Sequence, residues 1–396
     1  MLVYLDGDND LGDAALADLA EMEAVGSTAA VDVLVQLDLP NGVPAKRYRV
    51  VKGGRRELAD LGEVDMAKPG TLTAFLKWGA AAAPARRTAL VVWNHGNGWD
   101  QGDGPSPAAQ RRLPSILRDD DNQSPFLANY RVRGAIEAAG VALDLLGLDA
   151  SIMGTLEAQY ELRTVAPVLV TSQEVGETHG WDYTAILGGL TSKPEMGAEE
   201  LSQLIVDAYR DFFENVFYPD PAHAGYDRRH SISALRTAPL GDLGQAVGGL
   251  ARELGRLLGD PATRDATGTA IAVARRNVQA IDRYSQPYVY VDLFDLDRLL
   301  EPLSPTNIRP LIQAATIAEY HGDGRPNAHG VSIVFFQRPE AEAVGTFDTN
   351  YHDYDPQTGT GNKGEFLNAF GWDELLSAYY AWQGGGAAAR EGRQAP

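Results

Sequence analysis

Short apolar runs alternate with amphipathic stretches through the first half of the chain. The strand-like runs are LVYL, VDVLVQLDL, KRYRVV, TALVVWNHG, LDLLGLDA and APVLVTSQE, and the helix-like stretches are residues 14–24, TLTAFLKWGAAAA, residues 131–139 and TLEAQYELRTV. Unbroken apolar strands joined by helices are typical of a parallel sheet with helices on both faces. The pattern therefore predicts an α/β fold in which helices sandwich a mostly parallel sheet.

The alternation changes after Gly188. The predicted helices are residues 198–216, 243–258 and 307–318 and the final GWDELLSAYYAWQ, and the predicted strands are SISAL at residues 231–235 and HGVSIVFF. This mixed order predicts an additional C-terminal α+β region. We place an α/β domain at residues 1–220 and the C-terminal region at 221–383, and we expect the Gly- and Ala-rich tail at 384–396 to be disordered.

The chain is strongly acidic. Its 396 residues contain 34 Lys and Arg against 54 Asp and Glu, which gives a net charge of −20. This charge repels phosphate and argues against nucleic acid or an anionic membrane as a partner, whereas it attracts a peptide or protein with basic residues. The alternative is a surface adapted for solubility, because net charge reports on association more than on a particular function.

The chain contains no cysteine. Disulfides, thiolate metal sites and thiol catalysis are therefore excluded for this sequence. No apolar stretch approaches the roughly 20 residues of a membrane-spanning helix, and no signal peptide is visible at the N-terminus, which begins directly in a strand-like run. The compartment is left open, since an upstream leader and an extracytoplasmic location are compatible with a truncated N-terminus.

Two strand ends carry the candidate catalytic chemistry. His95 follows the run TALVVW and precedes glycines, and Ser151 follows the run LLGLD. Because the carboxyl ends of parallel strands meet at one edge of a sheet, the two side chains are predicted to face one crevice if their strands are neighbours. The backbone N–H groups of Gly96 and Ser151 are candidates for holding a developing oxyanion. Each residue also has a structural interpretation, His95 as a turn residue and Ser151 as a helix N-cap.

Several segments of the chain resemble the clostripain-like cysteine peptidases, a family with the caspase-type α/β fold. The segments are LVYLDGDNDL, VVWNHGNGW, LDASIMG, EAQYEL, SQE, GWDY, SISAL and HGVSIVFF, and the resemblance covers residues 2–382. It implies that His95 is the histidine of a Cys/His dyad and that Gly96 donates to the oxyanion. Ser151 then stands at the position of the catalytic cysteine. The resemblance also implies that residues 1–220 form the peptidase-type domain and that residues 221–383 complete its sheet.

Serine at position 151 changes the expected activity. A cysteine thiol, with a pKa of about 8.5, is partly thiolate at neutral pH, whereas a serine hydroxyl must lose its proton to a base during attack. We therefore expect a pseudo-peptidase that hydrolyses peptide bonds weakly or not at all. Two alternatives stay open: an active peptidase disabled by a Cys→Ser change at 151, and a non-catalytic module that binds a peptide or protein.

The resemblance also implies a substrate class. The family cleaves after Arg or Lys through acidic groups beside the nucleophile. Asp149 matches the family motif and is expected at the floor of the specificity pocket, and Asp182 is a second candidate. A carboxylate there would bind an arginine side chain by charge-assisted hydrogen bonds. The alternative for Asp149 is a strand-end carboxylate that caps the following helix.

Calcium and self-cleavage are two further implications of the resemblance. The candidate calcium ligands are Asp119, Asp120 and Asp121 or, alternatively, Asp6, Asp8 and Asp10. Neither stretch has the spacing of an EF-hand loop, so no metal ligand is assigned from the sequence. The expected cleavage sites, in the loop between His95 and Ser151, are Arg111, Arg112 and Arg118. The alternative role of that loop is a solvated charged surface.

Overall fold

The sheet and its helices are described by a computed structural model that covers residues 1–99, 116–122, 127–281, 289–336, 351–352 and 364–391. The strands are β1 (Leu2–Asp6), β2 (Leu34–Leu39), β3 (Val43–Val51), β4 (Gly54–Gly62), β5 (Ala89–Trp93), β6 (Leu145–Asp149), β7 (Val168–Thr171), β8 (Ser231–Arg236), β9 (Ala280–Ile281), β10 (Tyr290–Asp292), β11 (Thr316–His321) and β12 (Ser332–Val334). The helices are α1 (Gly12–Val25), α2 (Pro69–Ala82), α3 (Asn129–Ala139), α4 (Leu156–Leu162), α5 (Tyr183–Ser192), α6 (Ala198–Phe212), α7 (Leu240–Gly259), α8 (Arg264–Asn277), α9 (Leu293–Leu300), α10 (Ile308–Ala315), α11 (Glu365–Phe370) and α12 (Trp372–Glu391). A π-helical turn at Phe213–Phe217 extends α6.

Five parallel strands form the middle of a nine-stranded sheet with the order β11-β8-β7-β6-β5-β1-β2-β3-β4. Antiparallel strands extend it at both edges, β3 and β4 on one side and β8 and β11 on the other. A separate three-stranded antiparallel sheet has the order β12-β10-β9. The predicted α/β fold with a mostly parallel sheet is therefore confirmed.

Alternate residues of the central strands pack into two cores on opposite faces of the sheet. In β1, Tyr4 belongs to one core, where it meets Leu72 of α2. Val3 and Leu5 belong to the other core, where they meet Leu19 of α1. All five side chains are fully buried. Successive side chains point to opposite faces of a strand, so a strand covered on both faces reads as an unbroken apolar run.

The structure differs from the predicted elements at the sheet edges. The sequence pattern did not predict β4, which is largely exposed and has the polar sequence GRRELADLG. The prediction of a helix through residue 318 is wrong, because α10 ends at Ala315 and β11 begins at Thr316. Both strands exist through antiparallel pairing with β3 and β8. Strand β4 has few buried positions and therefore carries no apolar pattern, and the short strand β11, with the sequence TIAEYH, has too few apolar residues to mark where α10 ends.

The C-terminal region contributes to the central sheet. Strands β8 and β11, which lie after residue 220, extend the same sheet as β1 to β7. The predicted boundary between residues 220 and 221 stays a prediction, as does the disorder of the tail 384–396, into which α12 extends as far as Glu391. Among the described residues, no helix has the length and apolar character needed to cross a membrane.

Candidate active site

His95 and Ser151 lie at the same edge of the sheet. Strands β5 and β6 are parallel neighbours, with Trp93 opposite Asp149, and each candidate residue follows its strand end by two positions. Both residues line one cavity of about 240 Å³, together with Asp10, Asp149 and other residues from the ends of β5, β6 and β7. The structure therefore brings together the two side chains that the sequence pattern placed at separate strand ends.

Ser151 is not a helix cap. Helix α4 begins at Leu156, and its N-cap is Thr155, whose side-chain oxygen accepts a hydrogen bond from the Ala158 N–H at 3.3 Å. The Ser151 Oγ atom instead accepts a hydrogen bond from the Gly176 N–H at 3.1 Å. The interpretation of Ser151 as an N-cap is therefore wrong, and its hydroxyl faces the loop that follows β7.

The turn after Ser151 is conformationally strained. Ile152 has a φ of +62°, although it is β-branched and its side chain is buried. Left-handed backbone is unfavourable for such a residue and persists only where surrounding contacts impose it. The Ile152 N–H donates to the Glu174 carbonyl at 3.1 Å, and the Gly154 N–H donates to the Ser172 carbonyl at 2.6 Å. The backbone after β7 thus holds the Ser151 turn in place.

Two glycines let the His95 loop approach this turn closely. A Cβ atom added at Gly96 would lie 2.4 Å from the Ser151 carbonyl oxygen, and one at Gly98 would lie 2.9 Å from the Ile152 carbonyl oxygen. Gly98 also has a φ of +71°. These glycines are needed for packing between the two loops, in addition to the oxyanion role expected for Gly96.

We expect Gly96→Ala to lower the free energy of unfolding by about 1–3 kcal/mol, as overpacking typically does. The reason is that the new methyl group would meet a backbone carbonyl, which cannot rotate away. Gly134→Ala in α3 is the matched control: nothing lies within 4 Å of its added Cβ, and alanine favours a helix by about 1 kcal/mol. Urea denaturation measures both. Equal midpoints for the two variants would contradict the close packing.

The His95 imidazole is held by Asp10. Its Nε2 atom lies 2.9 Å from Asp10 Oδ1, and the same oxygen accepts a hydrogen bond from Arg118 Nη1 at 3.3 Å. Partial burial acts to raise the pKa of Asp10, but the hydrogen bond and charge of His95, together with Arg118, lower it below its usual value. Among the described residues, no hydrogen bond joins His95 to Ser151. The sequence did not identify Asp10 as a partner of His95.

Asp149 lines the same cavity as His95 and Ser151. Its Oδ2 atom accepts hydrogen bonds from the Tyr183 hydroxyl at 2.9 Å and the Trp181 N–H at 3.3 Å. Burial raises the pKa of Asp149 to about 7, with these two hydrogen bonds acting in the opposite direction. The alternative in which Asp149 caps the following helix is wrong, because Thr155 caps α4.

Trp181 also lines the cavity. A Cβ atom added at Gly147, in the middle of β6, would lie 2.6 Å from the Trp181 ring. Glycine inside a strand often marks such a close approach. Asp182, the second candidate for substrate binding, is the N-cap of α5: its Oδ1 atom accepts the Ala185 N–H at 2.8 Å, and it is not among the residues that line the cavity.

Glu177 is a cavity residue that the sequence did not identify. It pairs with Arg229 at 2.9 Å and lies 3.6 Å from His230 Nε2. The nearby His230 is the main cause that lowers the pKa of Glu177, and the charge of Arg229 acts in the same direction. The charge of Glu177 is thus already balanced by Arg229.

The predicted calcium ligands regroup in the structure. Asp8 and Asp119, from the two alternative sets, lie with Glu63, and their carboxylate oxygens are all within 4.8 Å of one another. Asp10 and Asp120 instead contact Arg118. Of the three expected cleavage sites, Arg118 lies within the described residues, and Arg111 and Arg112 lie outside them.

A mostly parallel sheet in which a histidine and a serine follow adjacent strand ends and line one cavity with Asp149 defines a peptidase-type α/β scaffold. The chain belongs to the clostripain family, whose model matches residues 3–309. A comparison with curated proteins gives no match. The resemblance of its motifs to the clostripain-like peptidases is therefore confirmed at the level of the family.

Solved structures of the same class share the fold. A secreted C11 cysteine protease from Bacteroides thetaiotaomicron, in complex with an irreversible peptide inhibitor, is similar with a TM-score of 0.68 at 17% identity, covering 94% of this chain and 98% of that one. An inactive zymogen C11 protease from Parabacteroides distasonis is similar with a TM-score of 0.66 at 17% identity, covering 93% and 96%. At this identity the likeness concerns the fold alone.

Proposed function

We propose that the chain binds peptides through an arginine or lysine side chain in the Ser151 cavity and hydrolyses them weakly or not at all. The observation that carries this proposal is Asp149, a carboxylate that lines the same cavity as His95 and Ser151. Both of its hydrogen bonds reach Oδ2, and among the described residues none reaches Oδ1. That oxygen is available for a charge-assisted hydrogen bond with a guanidinium or ammonium group.

A second carboxylate, that of Asp18, lies close to Asp149. Asp18 is buried, and its Oδ2 atom accepts a hydrogen bond from Trp93 Nε1 at 2.7 Å. Burial is the main cause that raises the pKa of Asp18, and the charge of Asp149 acts in the same direction. A cation in the cavity would relieve this repulsion between like charges. The net charge of −20 further favours the approach of basic peptides.

The surroundings of Ser151 are consistent with weak or absent hydrolysis. A serine nucleophile needs a base within hydrogen-bond reach to take its proton. Among the described residues, Ser151 Oγ is hydrogen-bonded by the Gly176 N–H, which is a donor and cannot take the serine proton. His95 Nε2 is hydrogen-bonded to Asp10 instead. One observation supports the alternative, a peptidase disabled by a Cys→Ser change: Gly96 packs closely on the Ser151 turn.

We expect the affinity for an Arg-containing peptide to rise between pH 6 and pH 8. The carboxylate of Asp149 is the charged form that binds a cation, and burial places its pKa at about 7, so binding strengthens as the pH passes this value. Asp149→Asn is expected to lower the affinity at pH 8 about tenfold or more and to flatten the pH profile, because it removes a charged hydrogen-bond acceptor. Fluorescence anisotropy of a labelled peptide measures both effects.

Asp182→Asn is the matched control for this experiment. It removes the same charge at the position that follows Trp181, yet asparagine keeps the capping of α5. Its affinity should equal that of the unmodified chain and should fall with salt in the same way. If Asp149→Asn binds the peptide as tightly as Asp182→Asn does at pH 8, the Asp149 carboxylate does not bind the peptide and the proposal is wrong.

A further inference from the structure

An aromatic surface lies beside the Ser151 cavity. It is formed by the rings of His179, Phe212, Phe217, His223 and Tyr226. His179 directly follows Thr178, which lines the cavity, and its side chain is exposed. The centre of its ring lies 5.6 Å from that of Phe212 and 5.7 Å from that of Phe217. The aromatic surface therefore begins at the rim of the cavity.

The rings of the aromatic surface pack against one another in a continuous row. His223 stacks on Phe217, with ring centres 3.8 Å apart and an angle of 9° between the planes. Tyr226 meets Phe217 edge-on, with ring centres 5.3 Å apart. Phe217 is buried, whereas Phe212, His223 and Tyr226 are half-buried. Each of these three side chains thus keeps part of its surface open to solvent.

A π-helical turn adds an exposed apolar side chain to this surface. The turn covers Phe213–Phe217, and the Tyr218 N–H donates to the Phe213 carbonyl at 2.9 Å. Val216 is 58% exposed, the largest exposed fraction of any large apolar side chain among the described residues. Residues four positions apart are neighbours on a helix surface, which places Val216 beside Phe212. π-helical turns occur frequently at functional sites.

A second set of contacts joins the aromatic surface to the cavity. Glu177, which lines the cavity, pairs with Arg229 Nη2 at 2.9 Å. The guanidinium carbon of Arg229 lies 5.0 Å from the centre of the Tyr226 ring. One arginine therefore contacts both the lining of the cavity and the far end of the aromatic surface. The cavity and the surface are continuous on this side as well as through His179.

We propose that the aromatic surface binds a large apolar side chain, preferably an aromatic one, of the same peptide whose arginine or lysine occupies the Ser151 cavity. This inference rests on the proposed function, because it takes the cavity as the site of the basic side chain. Residues of an extended peptide are about 3.3 Å apart, so the second side chain belongs to a residue a few positions from the basic one. Stacked and edge-on ring contacts favour an aromatic side chain beyond the area that it buries.

Charge favours a peptide as the occupant over a second copy of the chain. Two copies, each with a net charge of −20, repel each other, whereas a basic peptide is attracted. The surface is also small, since it consists of five rings and Val216. Stable protein–protein interfaces involve roughly 20–30 residues on each side. A single side chain of a bound peptide fits this extent better than a protein partner does.

Fluorescence anisotropy with matched peptides tests this proposal on the full chain. One labelled peptide carries a single arginine among alanines, and in the others phenylalanine replaces one alanine at a time on either side of the arginine. We expect phenylalanine at one or two of these positions to raise the affinity about tenfold or more, the scale of burying one aromatic side chain. The ratio of the phenylalanine affinity to the alanine affinity, taken within each variant, measures the contribution of the aromatic surface.

His179→Ala and Val216→Ser should each lower this ratio about threefold or more, because each removes apolar contact area from the surface. Both side chains are exposed, and circular dichroism verifies that the variants are folded. Val273→Ser is the matched control for Val216→Ser. Val273 is a 43% exposed valine on α8 and is not among the residues that line the cavity. Its ratio should equal that of the unmodified chain.

The outcomes separate this inference from the proposed function. If the alanine peptide binds and phenylalanine raises the affinity at none of the positions, the inference is wrong and the proposed function stands. If no arginine peptide binds, both are wrong. Equal ratios in His179→Ala, Val216→Ser and Val273→Ser would place the gain on another surface and overturn the inference. A dimer in sedimentation that Val216→Ser dissociates would assign the surface to a second copy and would overturn it as well.

Discussion

Ser151→Cys is expected to give the chain hydrolysis of a fluorogenic Arg-amide peptide that the unmodified chain lacks. A thiol with a pKa of about 8.5 supplies some thiolate at neutral pH without a perfectly placed base. The surroundings of residue 151 are already shaped for it: Gly176 donates to its side-chain oxygen, and Gly96 packs on its carbonyl. We expect a gain on the order of 100-fold or more over background, the scale of a positioned acid–base group.

The controls separate a restored dyad from an added thiol. Ser172→Cys places a thiol elsewhere in the lining of the same cavity and should not gain activity. His95→Ala combined with Ser151→Cys should lose the gain, because the histidine is the proposed base. The assay is run with and without Ca²⁺. If Ser151→Cys binds the peptide but does not hydrolyse it, the result would contradict a preserved dyad and would indicate a binding protein on a peptidase scaffold.

Arg325→Met is expected to lower the free energy of unfolding by about 3–5 kcal/mol, the cost of leaving one partner of a buried ion pair uncompensated. Arg325 and Glu174 are both fully buried and pair through Nε and Oε1, and Arg325 also reaches Asp227 at 3.2 Å. The Glu174 carbonyl accepts the Ile152 N–H. The ion pair thus connects the C-terminal region to the turn that carries Ser151.

Urea denaturation measures this effect, with Arg210→Met as the control. Arg210 has the same side chain as Arg325 but is 44% exposed, and its ion pairs with Asp207 and Asp211 lie on the surface. Surface pairs contribute about 0–1 kcal/mol, so its loss should change little. The double variant Arg325→Met with Glu174→Gln should recover part of the stability, because no buried charge is then left alone. Similar losses for Arg325→Met and Arg210→Met would contradict a structural role for the ion pair.

The sequence pattern predicted the central strands well and the edges poorly. Strands β1, β5 and β6 are buried on both faces, so each reads in the sequence as a short apolar run. Strand β4 has an exposed, polar sequence and depends on pairing with β3. Strand β11 follows directly on α10, and only its pairing with β8 separates the two.

The candidate site divides in the same way. His95, Ser151 and Asp149 follow strand ends, and the topology rule for parallel sheets is enough to place them at one edge. Asp10, Gly176 and Glu63 could not be predicted as partners, because each meets its contact through a loop whose path is set by packing elsewhere. The roles of Ser151 as a nucleophile substitute and of Asp149 in peptide binding stay predictions.

The sequence by itself determined the α/β class, the clostripain family and the strand ends that carry the polar candidate residues. It could do so because hydrophobic periodicity and short motifs are local properties of the chain. Only the tertiary structure decided that Thr155 and not Ser151 caps α4, that His95 rests on Asp10, and that Arg325 supports the Ser151 turn. These contacts join residues far apart in the chain, and their energies depend on burial and distance, which no local pattern records.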